Sequence, residues 1–117
     1  MKDKQRQAIV LDELKTINPY RTRVHNMIGI SELFADVYKN FCRFNRNAGK
    51  WFYYKNGVWQ VDLKNCETMK YLKEFVCLLK QYARAEGASS DYHEMIGKLT
   101  GFYHREYVER FKSTLLF

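Results

Sequence analysis

The chain has 117 residues, of which 46% are apolar and 16% aromatic, and it carries a net charge of +7. That much apolar surface excludes a disordered chain, and no apolar run reaches the ~20 residues of a membrane span. Three cysteines without a close pair, and no hydrophobic signal core behind Met1-Lys2-Asp3-Lys4, predict one soluble intracellular domain.

Residues 3–17 read as a helix. Ile9 or Val10, Leu14 and Ile17 recur at helical spacing among charges, and Pro19 stops the pattern. Residues 18–30 read as an irregular basic segment punctuated by Asn18-Pro19 and Gly29. Ser31 is then the expected N-cap of a second helix, "SELFADVYKNFCRFN", with Leu33, Val37, Phe41 and Phe44 on one stripe and Asn47-Ala48-Gly49 ending it.

In "KWFYYKNGVWQVD", residues 50–62, Asn56-Gly57 sits between two β-prone runs and predicts a type I′ hairpin. The register opposes Lys55 to Val58, Tyr54 to Trp59, Tyr53 to Gln60, Phe52 to Val61 and Trp51 to Asp62. Opposed residues share a face. Phe52, Tyr54, Trp59 and Val61 are expected to form the core face. Trp51, Tyr53, Lys55, Val58, Gln60 and Asp62 form a mixed face that needs cover from a helix or a partner.

A helix over 65–86 follows, with Met69, Leu72, Val76, Leu79 and Ala83 on its stripe and Gly87 at its end. Ser89, Ser90 and Asp91 restart a helix, with Asp91 and Glu94 at capping-box spacing, and Tyr92, Ile96, Leu99, Tyr103, Tyr107, Phe111 and Leu115 predict about six turns. The fold class expected is therefore mainly α: a compact domain of about four helices with one aromatic β-hairpin at roughly residues 50–62, all in a single domain over 1–117.

Catalytic chemistry finds no foothold. The six glycines form no phosphate loop, no nucleophile elbow is present, and the carboxylate pairs have the spacing of solvated helix faces. His25, His93 and His104 are scattered, so neither a metal nor a cofactor is expected. A non-enzymatic module is the reading the residues leave.

The charge points to the partner class. Residues 1–50 hold ten Lys/Arg against five Asp/Glu, whereas residues 89–117 balance four against four. A basic first half favours nucleic acid or an acidic protein surface. Arg21, Arg23, Arg43, Arg46, Lys50 and Lys55 are the candidate phosphate contacts, and Trp51 and Tyr53 the candidate stackers on unpaired bases.

Four stretches in order carry a resemblance: "LDELKTINP" (11–19), "IGISELFADVYKNFCRF" (28–44), "GKWFYYKNGVWQVD" (49–62) and "YVERFKSTLL" (107–116). Together they resemble the helical region that precedes the superfamily III helicase core in phage and plasmid primase–helicases. The aromatic hairpin with its trailing Asp62 is the most specific part. The resemblance implies a module that engages substrate DNA and couples a primase to an ATPase in the cytoplasm of a bacterial host. Neither engine's motifs are present, so the chain is expected to be a fragment or a free-standing module.

Two function classes follow. One is a DNA-associated replication module on single-stranded or forked DNA, partnered by a replication helicase. The other is a phage-encoded protein-interaction module, such as an inhibitor of a host defence nuclease. The Gly97/Gly101 spacing also leaves a self-associating scaffold open.

Overall fold

A computed structural model describes residues 3–99. The chain runs α1 (Asp3–Ile17), a one-turn α2 (Pro19–Thr22), α3 (Met27–Tyr38), β1 (Cys42–Asn45), β2 (Lys50–Lys55), β3 (Val58–Val61), a 3-10 turn (Leu63–Asn65), α4 (Cys66–Glu86) and α5 (Ser90–Gly97). It is mainly helical: four longer helices pack with a three-stranded antiparallel sheet in the order β1-β2-β3. Among the described residues no helix is long and apolar enough to cross a membrane.

Several boundaries differ from the sequence reading. The segment expected to be irregular contains α2, with Asn18 at positive φ before it, and the start of α3. Asn26, not Ser31, caps α3, its side chain accepting the Gly29 N–H at 3.0 Å. Gly29 belongs there for space, because a Cβ would stand 1.9 Å from the Val24 carbonyl oxygen. The helix expected to continue to Asn45 ends at Tyr38. Phe41 N–H then closes a tight turn on the Tyr38 carbonyl, and its own carbonyl accepts from Tyr54. Cys42 and Phe44 turn inward while Arg43 and Asn45 alternate away, which is strand periodicity. The hairpin thus acquires a third strand.

At the far end Ser89, the first of the three residues expected to restart a helix, caps α5, accepting the Tyr92 N–H, and the Asp91–Glu94 spacing does not form the cap. α5 closes at Gly97, which is exposed with open space where a Cβ would stand. The stripe from Tyr103 to Leu115, and Gly101, lie outside the described residues.

Hairpin register follows the Asn56-Gly57 signal. Both turn residues have positive φ, 54° and 82°, as a type I′ turn requires, and the four predicted pairs from Lys55–Val58 to Phe52–Val61 form. Asp62 N–H donates to the Trp51 carbonyl at 2.8 Å and extends the ladder by one residue.

The faces are the reverse of those expected. Trp51 is 1% exposed and lies with Phe44 and Cys42 in the core, whereas Tyr54 is 45% and Val61 38% exposed. Tyr53 is half-buried against the core, and Phe52 and Trp59 are half-buried on the outward side. The cause is Asp62, which opposes Trp51. Its carboxylate caps α4, accepting the backbone N–H of Glu67 at 2.9 Å and of Thr68 at 2.7 Å, and the Thr68 hydroxyl at 2.6 Å. A residue capping the packed helix must point toward it, and Trp51 points the same way.

One buried ion pair ties the helices together. Arg6 on α1 donates through Nε and Nη2 to both carboxylate oxygens of Glu74 on α4, each at 2.9 Å. Tyr38 of α3 donates to the same carboxylate at 2.9 Å, and the guanidinium lies 4.7 Å from the centre of the Tyr71 ring. Burial by itself would discharge Arg6, but the hydrogen bonds and charge of Glu74 outweigh it and raise its pKa. Around this pair sit Val10, Leu14, Leu33, Phe34, Val37, Leu72, Phe75, Val76 and Leu79, all within a few per cent of full burial.

Asp62→Ala should therefore cost about 2–3 kcal/mol in urea unfolding, since two α4 N–H groups and a buried hydroxyl lose their acceptor. A second expectation concerns alkali. Burial raises the hydroxyls of Tyr38, Tyr82 and Tyr92, and pushes Tyr71 up to about 12. The unfolded chain releases these protons near pH 10 while the fold retains them. Stability is thus complete below pH 10 and falls as pH rises beyond it, by about 1.4 kcal/mol per pH unit for each tyrosine. Tyrosinate absorbance should rise together with loss of helical circular dichroism.

Candidate nucleic-acid interface

The outward face of the sheet is built by pleating. Arg43 opposes Phe52, Asn45 opposes Lys50, Phe52 opposes Val61 and Tyr54 opposes Trp59, so these seven residues share one side. Tyr54 and Trp59 meet edge to face with ring centroids 5.4 Å apart. The Arg43 guanidinium lies 5.3 Å from the Trp59 ring centre and donates through Nε to the Lys39 carbonyl at 2.6 Å. The ring pair is thereby flanked by a fixed cation on β1.

Charge in this part of the chain has one sign. Residues 37–61 contain Lys39, Arg43, Arg46, Lys50 and Lys55 and no Asp or Glu. The next carboxylate, Asp62, is buried in its helix cap. Arg46 and Lys50 are exposed at the β1–β2 turn and Lys55 at the hairpin tip. A surface with phosphate-binding groups and aromatic rings at sheet spacing can hold an extended polyanion and stack on its bases.

The sequence-derived set is only partly brought together here. Arg43 and Lys50 lie on this face, with Arg46 and Lys55 at its ends. Trp51 is in the core, so it supports the sheet from behind and stacks on nothing outside. Tyr53 is on that inward side too, its hydroxyl 3.2 Å from Gln60 Oε1. Arg21 pairs with Glu86 at 2.7 Å, in the last turn of α4. The sheet joins α4 at its first turn, about 30 Å away along a 21-residue helix. Arg23 pairs with Asp36 of α3 at 2.6 Å. Both arginines are thus paired with helix carboxylates, Arg21 from α2 and Arg23 from the residue that follows it.

Sequence reasoning missed Phe52, Tyr54 and Trp59 as surface rings. The signal that finds them is Asp62: a cap-forming residue three positions before the helix expected at 65–86, opposed to Trp51, fixes which parity faces inward.

No group of three or more His, Cys, Asp or Glu among the described residues is placed to hold a metal ion. Burial raises the Cys42 thiol, which keeps it protonated, while Cys66 and Cys77 are exposed and unpaired as disulfides. His25 stacks on Tyr20 and meets Tyr92 edge-on, with Nε2 2.7 Å from the Tyr20 carbonyl oxygen, in a joint between α2 and α5.

Comparison with known proteins gave no match to a family model, to a curated protein or to a solved structure.

The two aromatic parities should separate cleanly in denaturation. Trp51→Ala leaves a large core void and should cost about 3–5 kcal/mol, whereas Tyr54→Ala on the outward face should cost under about 1 kcal/mol. Urea unfolding monitored by circular dichroism measures both.

Proposed function

We propose that the chain is a non-enzymatic module that binds single-stranded DNA along the outward face of its sheet. The observation that carries this reading is the Tyr54–Trp59 ring pair beside Arg43, in a stretch with five cations and no carboxylate. Phosphates pair with Arg43, Arg46, Lys50, Lys55 and Lys39, and bases stack on the outward rings. An antiparallel sheet holds rings and cations at fixed spacing, so little ordering accompanies binding. The resemblance to phage and plasmid primase–helicases directs the polyanion reading toward DNA at a replication fork, in the cytoplasm of a bacterial host.

A second reading has one observation in its favour. Val58, Val61 and Leu63 are 55%, 38% and 74% exposed along the edge strand β3 and just beyond it. That apolar edge fits a protein-interaction module, such as an inhibitor of a host nuclease, docking by strand addition. Such a module binds bare DNA weakly, and its complex is sensitive to Val61→Lys and insensitive to Lys50→Ala.

Fluorescence titration with a single-stranded oligonucleotide tests the first reading. Trp59 emission should be quenched on binding, and log K should fall with log salt at a slope of about −3 to −4 for five phosphate contacts. Lys50→Ala should reduce the slope by about 0.7. Trp59→Ala should weaken binding about tenfold or more, and Arg21→Ala should leave it unchanged. Absence of binding at low salt overturns the reading.

A further inference from the structure

A cleft of about 610 Å³ opens under the hairpin tip, between α1, the turn at residues 39–41, the β2–β3 turn and the first turns of α4. This volume is in the range of small-molecule sites, about 300–1,000 Å³. Ile9, Phe41, Tyr54 and Tyr71 supply its apolar and aromatic walls. Tyr54 belongs both to this cleft and, through its ring contact with Trp59, to the outward face of the sheet. The two surfaces therefore share Tyr54.

Electrostatically the cleft is unlike the sheet. Three cations, Arg6, Lys55 and Lys70, are matched by Asp3, Glu13 and Glu67. Arg6 is held by Glu74 and Asp3, and Lys70 lies 3.5 Å from Asp3. Among the described residues no ion pair engages Glu13, Glu67 or Lys55. Partial burial raises the Glu13 carboxyl against the pull of Lys39. Besides the Asp3–Lys70 and Arg6 pairs, Glu13, Glu67 and the amides of Asn40 and Asn56 line an aromatic-walled recess, with Lys55 at the hairpin tip.

We propose that this cleft takes one nucleotide of the bound strand, a guanine-type base against the aromatic walls with its phosphate toward Lys55. The proposal rests on the sheet reading for the path of the strand. A charge-balanced recess suits the uncharged base, and the carboxylate-free sheet suits the phosphates that flank it. Guanine presents adjacent N–H donors, which a carboxylate accepts as a pair. The side chains of Asn40 and Asn56 can satisfy the remaining polar edge.

The test is a ¹H–¹⁵N titration of the full chain with dGMP. The side-chain amide signals of Asn40 and Asn56 and the backbone signal of Tyr71 should shift and saturate in the millimolar range. Ile9→Trp, which fills the cleft from the exposed side of α1, should abolish these shifts while helical circular dichroism is retained. Shifts confined to Arg43, Lys50 and Trp59, or no shifts, overturn the proposal. So does a cleft that responds to N-acetylarginine amide and not to dGMP, which marks a pocket for a basic peptide. An oligonucleotide that fails to bind while dGMP still enters the cleft overturns the sheet reading and leaves the pocket standing.

Discussion

Asp62 joins the sheet to α4, and the orientation of the sheet depends on that joint. Its backbone N–H completes the β-ladder to Trp51, and its carboxylate takes two backbone N–H groups and a hydroxyl at the start of the helix. Between them the chain passes through Lys64 and Asn65 at φ of 58° and 59°, a left-handed pair that costs about 1–2 kcal/mol per residue outside glycine. The cap offsets that cost by giving the helix terminus the acceptors it lacks. Since Asp62 must face α4, Trp51 and Tyr53 face the core, and Phe52, Tyr54 and Trp59 are turned outward.

Much of the fold was legible because local chemistry decides it. The Asn-Gly turn sets a register that no distant residue can shift, and the stripes of α1 and α4 are long enough to fix their helices. What was not legible depended on contacts across the chain. Both hairpin faces carry aromatic residues, so hydrophobicity alone cannot choose between them. The strand β1 was hidden because Phe41 and Phe44 fit a helical stripe as well as Cys42 and Phe44 fit a strand. Only its pairing with β2 settles the matter. Arg21 and Arg23 looked like free cations because Glu86 is 65 residues from Arg21, and Asp36 lies across a chain reversal from Arg23 that no local pattern announces.

The division of charge follows from the same architecture. Acidic residues are committed where helices meet: Glu74 to Arg6 and Tyr38, Asp36 to Arg23, Glu86 to Arg21, Asp62 to the α4 cap. The sheet holds no carboxylate of its own, so its lysines and arginines have no local counter-charge in sequence. The basic excess of the chain therefore gathers on a regular surface instead of being spread around the helices.

Trp51 and Asp62 oppose each other at the end of the hairpin, and both are buried. Their physical work is to seat a hairpin on a helix, a task any module of this shape must perform whatever it binds. The opposite parity carries Arg43, Lys50, Phe52, Tyr54 and Trp59. A binding surface made this way can change partner without disturbing the core, because pleating keeps the two sets of side chains on opposite sides of one backbone. The chemistry of the outward set, rather than the motif that supports it, is what decides between a nucleic acid and a protein.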